Sequence, residues 1–322
     1  MCLKGPVLNV FTTTKIDTGM NTWCRPASLL LVFILCPPLT ADQQEDPELI
    51  LPHRVYAAVG SELGIWFDNI VLTQTPEQYQ FEVNCGLGQS DTRRWHVIPT
   101  AKDTGVHNLT IQVRDSSGRL LTSAETQLCV AGDNAGAGHD IRLLLIGDSL
   151  THATQYPHAL AELLNRPANP RWSMIGTHRP PNAAAGIAHE GYGGWTWQRF
   201  VSHYEPAPDG THRKRSSPFV FLNSDSTPQL NVTHYLDTAA SGSPPDIVFF
   251  LLGINDCFGA NPDDIVAIDE RIDRMLAQAD TLIAAFQKAA PDTDLAVCIT
   301  TPPNSRAAAF EANYKGRYTR WG

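Results

Sequence analysis

The stretch "IRLLLIGDSLTHATQYPHALAELLNR", Ile141 to Arg166, decides the fold. It opens on a run of branched aliphatics, the pattern of a strand buried on both faces of a parallel sheet. The run stops at Gly147-Asp148-Ser149, and "HALAELLNR" continues with helical spacing. Downstream, "RWSMIGTH", "PPDIVFFLLGIND" and "DLAVCITTPP" read as further strands. A helix is expected over Asn261–Ala290, with Asn261 as cap, Pro262 at the first helical position and Asp263 and Asp264 at the positive end. Ile265, Ile268, Ile272, Met275, Ala279, Leu282 and Phe286 form its apolar stripe. Strands alternating with helices predict an α/β domain over residues 141–322, a parallel sheet with helices on both faces.

Before this domain the character is different. Residues 50–131 carry short alternating or β-branched runs, "RVYAAVG", "ELGIWFDNIVL", "YQFEVNC", "TRRWHVIP", "VHNLTIQVRD" and "RLLTSAETQLCVA", separated by glycine turns. They predict a small all-β antiparallel sandwich. Residues 132–140 are small, polar and glycine-rich, as in a linker. Residues 1–41 read as an N-terminal extension and an export signal, with Met20 as an alternative start. Arg25 precedes an apolar stretch of roughly ten residues, too short to span a bilayer, and Thr40-Ala41 offers a cleavage site. The chain is therefore expected outside the cytoplasm, without stable membrane insertion.

Charge and cysteine usage narrow the function classes. The net charge of -9 gives no footprint for nucleic acid, and "HRKR" at His212–Arg215 reads as a solvated surface cluster. Cleavage would leave Cys85, Cys129, Cys257 and Cys298, two in each domain, where an oxidising compartment permits disulfides. No pairing is assigned. No cysteine or histidine spacing points to a metal, and no cofactor is implied.

In open α/β sheets functional residues collect at the C-terminal ends of the strands. Asp148 and Ser149 follow the first strand, "HEGYGGWTW" the second, and Asn255 and Asp256 the third. Ser149 reads in two ways, as a helix N-cap or as a nucleophile raised above the sheet. Asp148 reads as a turn organiser beside it. Gly194 is the candidate N–H donor to an oxyanion, and the Asn255 amide suits a neutral donor in the same hole. Tyr192, Trp195 and Trp197 are either core aromatics or walls of a substrate cleft.

These segments together carry a family resemblance. "LLIGDSLTHA" resembles the first motif block of the SGNH or GDSL hydrolases, "EGYGGWTW" the second, and "FLLGINDCF" the third. The blocks stand in the family's order across Arg142–Pro303. The resemblance implies a three-layer SGNH fold, Ser149 as nucleophile, and oxyanion donors from the Ser149 and Gly194 amides and the Asn255 side chain, with Asp256 in support. A β-sandwich followed by such a domain also resembles exported carbohydrate-active esterases. That likeness implies a small-molecule or polysaccharide O-acetyl ester as substrate, with a lipid or lysophospholipid ester as runner-up.

The family's fourth block is an Asp-x-x-His that supplies the general base. No histidine follows His234 in this sequence. The expectation is a chain cut short of that block, because "FEANYKGRYTRW" reads as a helix still under way, and weak or absent esterase activity. His152 and His189 stand near enough in sequence to approach the cleft, although surface or packing roles are the plainer reading. The competing class is a non-catalytic glycan-binding protein with a vestigial serine. An Asp-x-x-His codon run beyond codon 322 would separate the two.

Overall fold

The computed structural model describes residues 46–298 except 74, 207–210, 212–213, 240–241 and 262. The segment read as an export signal, His212 and Arg213 of the basic cluster, Pro262 and the final segment from Phe310 lie outside the described residues. The chain forms two compact units. One holds the residues up to Tyr56 with Leu63–Val97 and Val106–Cys129; the other holds Ala57–Glu62, Ile98–Gly105 and the chain from Val130 onward.

The first unit is all β. Its strands are β1 (Glu48–Leu49), β2 (Arg54–Ala58), β3 (Leu63–Trp66), β4 (Val71–Leu72), β5 (Gln80–Cys85), β6 (Gln89–Ser90), β7 (Arg94–Val97), β8 (Gly105–Arg114) and β9 (Leu120–Ala131). They make a four-stranded sheet ordered β2-β9-β8-β5, a three-stranded sheet ordered β3-β7-β6, and the pair β1-β4. Alternation in the sequence becomes alternation in burial: Leu109, Ile111 and Val113 of β8 and Trp95 and Val97 of β7 all point inward. Phe67 stacks on Phe81 at 4.4 Å between ring centres.

The second unit is built on a parallel sheet. Its strands are β10 (Asp140–Gly147), β11 (Arg171–Ile175), β12 (Glu190–Gly191), β13 (Val220–Leu222), β14 (Pro228–Leu230), β15 (Ile247–Leu251) and β16 (Asp294–Val297). Its helices are α1 (Ser149–His152), α2 (Gln155–Leu164), α3 (Trp197–Ser202), α4 (Val232–Ala239), α5 (Ile254–Cys257) and α6 (Ile265–Ala289). The sheet runs β11-β10-β15-β16, with β12 also parallel to β10 beyond the end of β11. Leu144, Ile146, Val248 and Phe250 face a core completed by α3, α4 and α6, while Leu143 and Leu145 face the opposite side with Ala161 of α2 and Met174. Burial on both faces is why β10 and β15 are unbroken apolar runs.

Two local readings of the long helix need correction. The long helix begins at Ile265, not Asn261, because Asp264 is its N-cap and accepts the Ala267 N–H at 3.1 Å. Asn261 instead accepts from Asp263 N in the preceding turn. The apolar stripe is buried from Ala279 to Phe286 and half-buried at Ile268, Ile272 and Met275, whereas Ile265 is 69% exposed. The four described cysteines are free thiols. Cys85 on β5 and Cys129 on β9 have β8 between them, roughly 10 Å across two strand spacings, beyond the Cα reach of a disulfide.

Candidate active site

Strand order places the candidate residues. The second strand of the sheet lies on one side of the first and the third on the other, so the strand order reverses at β10, the position where ligands collect in open α/β sheets. Ser149 follows β10 and Asn255 follows β15, at the ends of two neighbouring strands.

The turn at the end of β10 depends on close packing. An added Cβ at Gly147 would stand 1.9 Å from Thr151 Oγ1, and one at Gly191 2.5 Å from Thr151 Cβ. Buried Thr151, bonded through Oγ1 to Tyr156 Oη at 2.8 Å, thus fills the space that both glycines leave. Helix α1 can start there because its first turn drops onto the strand end.

The N-cap of α1 is Asp148, not Ser149. Asp148 is buried, and its Oδ1 accepts the Leu150 N–H at 2.9 Å. Burial pushes its carboxyl above the usual carboxylate range, against the pull of the backbone bond to Leu150. With capping done by its neighbour, Ser149 is exposed, and its hydroxyl and N–H make no hydrogen bond among the described residues. The capping reading of Ser149 is excluded.

The glycine loop is held at both ends. Tyr192 N donates to Gly147 O at 3.0 Å, fixing the loop to the end of β10. Trp195 O accepts from Asn255 Nδ2 at 3.0 Å, and Trp197 N donates to the Asp256 carboxylate at 3.2 and 3.3 Å, fixing it to α5. Gly193 and Gly194 span the interval. Gly194 is exposed at φ +77° with open space around its Cβ position, so glycine is required there by the backbone angle and not by crowding. Its N–H has no partner among the described residues.

The Asn255 amide is differently placed than its sequence role requires. Nδ2 donates to Trp195 O and also to Asp148 Oδ2 at 3.3 Å, so both hydrogens point at protein acceptors. Asn255 therefore ties the three motif segments together. Asp256 accepts the Trp197 N–H at the start of α3, whose N-cap is Thr196, and burial, with the Asp148 charge adding to it, pushes its carboxyl up to about 6. Tyr192, Trp195 and Trp197 are buried core residues, packed around Phe200 and Phe250, and none walls a cleft.

Two features escaped the sequence reading. Glu190 is fully buried and accepts from Thr177 N, Thr177 Oγ1, Tyr192 Oη and Tyr235 Oη; burial raises its carboxyl, and these donors and the Arg215 guanidinium oppose the rise. Arg215, read as solvated, lies over the Tyr192 ring at 4.7 Å and donates to Thr177 Oγ1. The second feature is a histidine group. His152 Nδ1 and His178 Nε2 are hydrogen-bonded at 2.8 Å, and His189 sits edge-on to His178 at 5.3 Å. Only residue spacing of 26 along the chain, bridged by no motif, links His152 to His178, so nothing local announces the pair. Among the described residues, no group of three or more His, Cys, Asp or Glu is arranged to hold a metal ion.

No protein-family model matches this chain, and no curated protein matches it. Among solved structures it is similar to an endo-fucoidan hydrolase of glycoside hydrolase family 107, at 14% identity over 29% of this chain and 14% of that one, with a TM-score of 0.22. It is similar to the SGBP-B protein of the Bacteroides ovatus mixed-linkage glucan utilisation locus, at 14% identity over 32% of this chain and 30% of that one, TM-score 0.22. A sialyltransferase from Photobacterium damsela is matched at 12% identity over 67% of this chain and 38% of that one, TM-score 0.21. The chain thus spans a minor part of each of these proteins, and at such TM-scores the likenesses carry no argument about what it does.

Proposed function

We propose that this protein is an exported serine ester hydrolase of the SGNH type, with a three-layer catalytic domain following a β-sandwich. The observation that carries the reading is Ser149 itself: exposed at the strand-order reversal, relieved of capping by Asp148, and standing with an unengaged N–H of its own. Ser149 Oγ attacks the ester carbonyl, and the oxyanion is held by the Ser149 and Gly194 N–H groups. Asn255 joins them by turning one amide hydrogen from Asp148, its longer bond, to the oxyanion.

The substrate proposed first is an O-acetyl ester of a carbohydrate, on the order of the two domains alone, since the buried tryptophans no longer support a sugar-lined cleft. One observation favours a longer acyl group: Leu150, next to Ser149, and Phe258, at the end of α5, are 40% and 43% exposed. Hydrolysis of acetylated xylan and of 4-nitrophenyl esters of increasing chain length, by the parent and by Ser149→Ala, tests both points. Turnover is expected to fall by at least about 10³-fold in the variant. Equal turnover by the two proteins would remove Ser149 from the reaction.

A further inference from the structure

A groove of about 800 Å³ opens to solvent at the end of the parallel sheet away from Ser149. Its size is that of a small-molecule site. Helix α2 runs back from the Ser149 turn and ends at Leu164, and the chain re-enters the sheet at Arg171. The groove is bounded by that helix end, the turn that follows it, the start of β11, and the loop between β11 and β12. Arg171 and Trp172 pair in register with Asp140 and Ile141, the first residues of β10, whereas Ser149 follows its last. At a rise of about 3.3 Å per residue, roughly 20 Å of strand separates the two places.

Charge marks the groove. Arg166, Arg171 and Arg179 line it, and none of its described lining residues is acidic. Arg171 is already engaged, its Nε and Nη2 donating to Asp140 at 2.6 and 2.7 Å. Arg166 and Arg179 are exposed, and neither guanidinium has a hydrogen bond or ion pair among the described residues. On a chain of net charge -9, two unneutralised guanidinium groups in one concavity make a local site for an anion. Each planar fork can hold a carboxylate through two parallel bonds, which a point charge cannot do.

The groove also has an aromatic wall. Trp172 is half-buried, and its Nε1 donates to Asn165 Oδ1 at 2.9 Å, so the indole is held in one orientation. Gly186 stands beside the ring at φ +85°, with its Cβ position 3.5 Å from Trp172 Cη2. A side chain there would take a strained backbone angle and lie against the ring, so glycine leaves the indole edge open. The loop that carries Gly186 is tied to α2, where Ala184 N donates to His158 Nε2 at 3.0 Å. A fixed indole beside unpaired guanidinium groups offers an apolar surface and anion donors together. A sugar ring bearing a carboxylate complements both, with C–H bonds on its face and an acid at its edge. A mineral anion would leave Trp172 unused, and a neutral sugar would leave Arg166 and Arg179 unused.

We propose that this groove binds an acidic carbohydrate, with uronate carboxylates on Arg166 and Arg179 and a sugar face on Trp172. The site is separate from Ser149 and does not rest on the ester-hydrolase reading.

Isothermal titration calorimetry on the full chain tests it. The probes are a short oligogalacturonate, a neutral xylo-oligosaccharide of the same length, sodium sulfate, and vesicles of phosphatidylcholine with phosphatidylserine. The oligogalacturonate is expected to bind at least about tenfold more tightly than the neutral sugar or sulfate, and more weakly as salt is added. Arg166→Gln and Arg179→Gln should each weaken it by at least about tenfold while melting like the parent, since each removes one charge-assisted pair of bonds. Ser149→Ala should bind as the parent does, and both arginine variants should keep the parental turnover of 4-nitrophenyl acetate. Absence of binding by the oligogalacturonate, equal affinity for the two oligosaccharides, sulfate binding as tight as the uronate, or parental affinity in both arginine variants would each overturn the proposal. So would vesicle binding that the arginine substitutions abolish while no oligosaccharide binds, which would assign the groove to an anionic membrane surface.

Discussion

At the scale of single residues, the site is governed by what small side chains permit. Gly147 and Gly191 are adjacent cross-strand partners, and Thr151 occupies the space above both. Gly147→Ala would press a methyl group against Thr151 Oγ1 and, at 3.0 Å, against Leu251 O, which is backbone and cannot step aside. Overpacking of this kind costs about 1–3 kcal/mol, read as a lower urea midpoint with the slope unchanged. Adding Thr151→Ala should return part of the loss, since the two sites are in contact and their effects do not add. Unchanged stability in Gly147→Ala would mean that the strand end is looser than these distances state. The sequence marked Gly194 as an N–H donor to an oxyanion and gave Gly147 and Gly191 no role of their own. Only the fold distinguishes them: Gly147 is glycine for space, Gly194 for its backbone angle.

At the scale of elements, legibility followed length. The apolar runs of β10 and β15 were readable because each is long enough to show its burial, and their alternation with helices implied a parallel sheet. The two-residue strand β12 and the hairpin β13–β14 are too short to carry a period, and so went unread. The start of α6 was misplaced because Asn261 and Asp264 are both competent caps, and the choice between them is made by the turn at Asn261–Asp264. Its buried end is firmer. Phe286 meets Phe219 and Phe250 edge-on, at 5.3 and 5.6 Å, and Phe286→Ala should cost about 3–5 kcal/mol, while Ile265→Ala, at an exposed position, should stay within about 0.5 kcal/mol. Comparable losses from both would contradict the burial gradient along the helix. The short helix α3 is capped by Thr196, which accepts the Arg199 N–H at 3.1 Å, and its first N–H is taken by Asp256, a carboxylate from another element. Burial raises Asp256 from its ordinary value near 3.8 to about 6, so the folded protein keeps this proton where the unfolded chain has released it. The contribution is present at low pH and is lost as pH rises through 6. Asp256→Asn should therefore gain on the parent in urea midpoint between pH 4 and pH 7, and a gap that is constant over that range would refute the assignment.

At the scale of the whole molecule, the two units share a composition that allowed disulfides and a geometry that separates the thiols. A Cys85–Cys129 bond would have to cross β8, which pairs with β5 along its length through the register Cys85 to Leu109. In the second unit Cys257 Sγ rests against Met275 Sδ at 3.8 Å, on α6, and Cys298 continues from β16 with its N–H on Phe250 O. Burial pushes both thiols up, so they are poor thiolates and poor partners for exchange. Stability in both units then rests on packing rather than cross-links, and the protein should melt at the same temperature with and without a thiol reductant. Alkylation under denaturing, non-reducing conditions, followed by peptide mass mapping, should find Cys85, Cys129, Cys257 and Cys298 each carrying the label. A melting point that falls by several degrees on reduction, together with an unlabelled pair, would show that the strand order drawn for the first unit or the placement of α5 in the second is wrong.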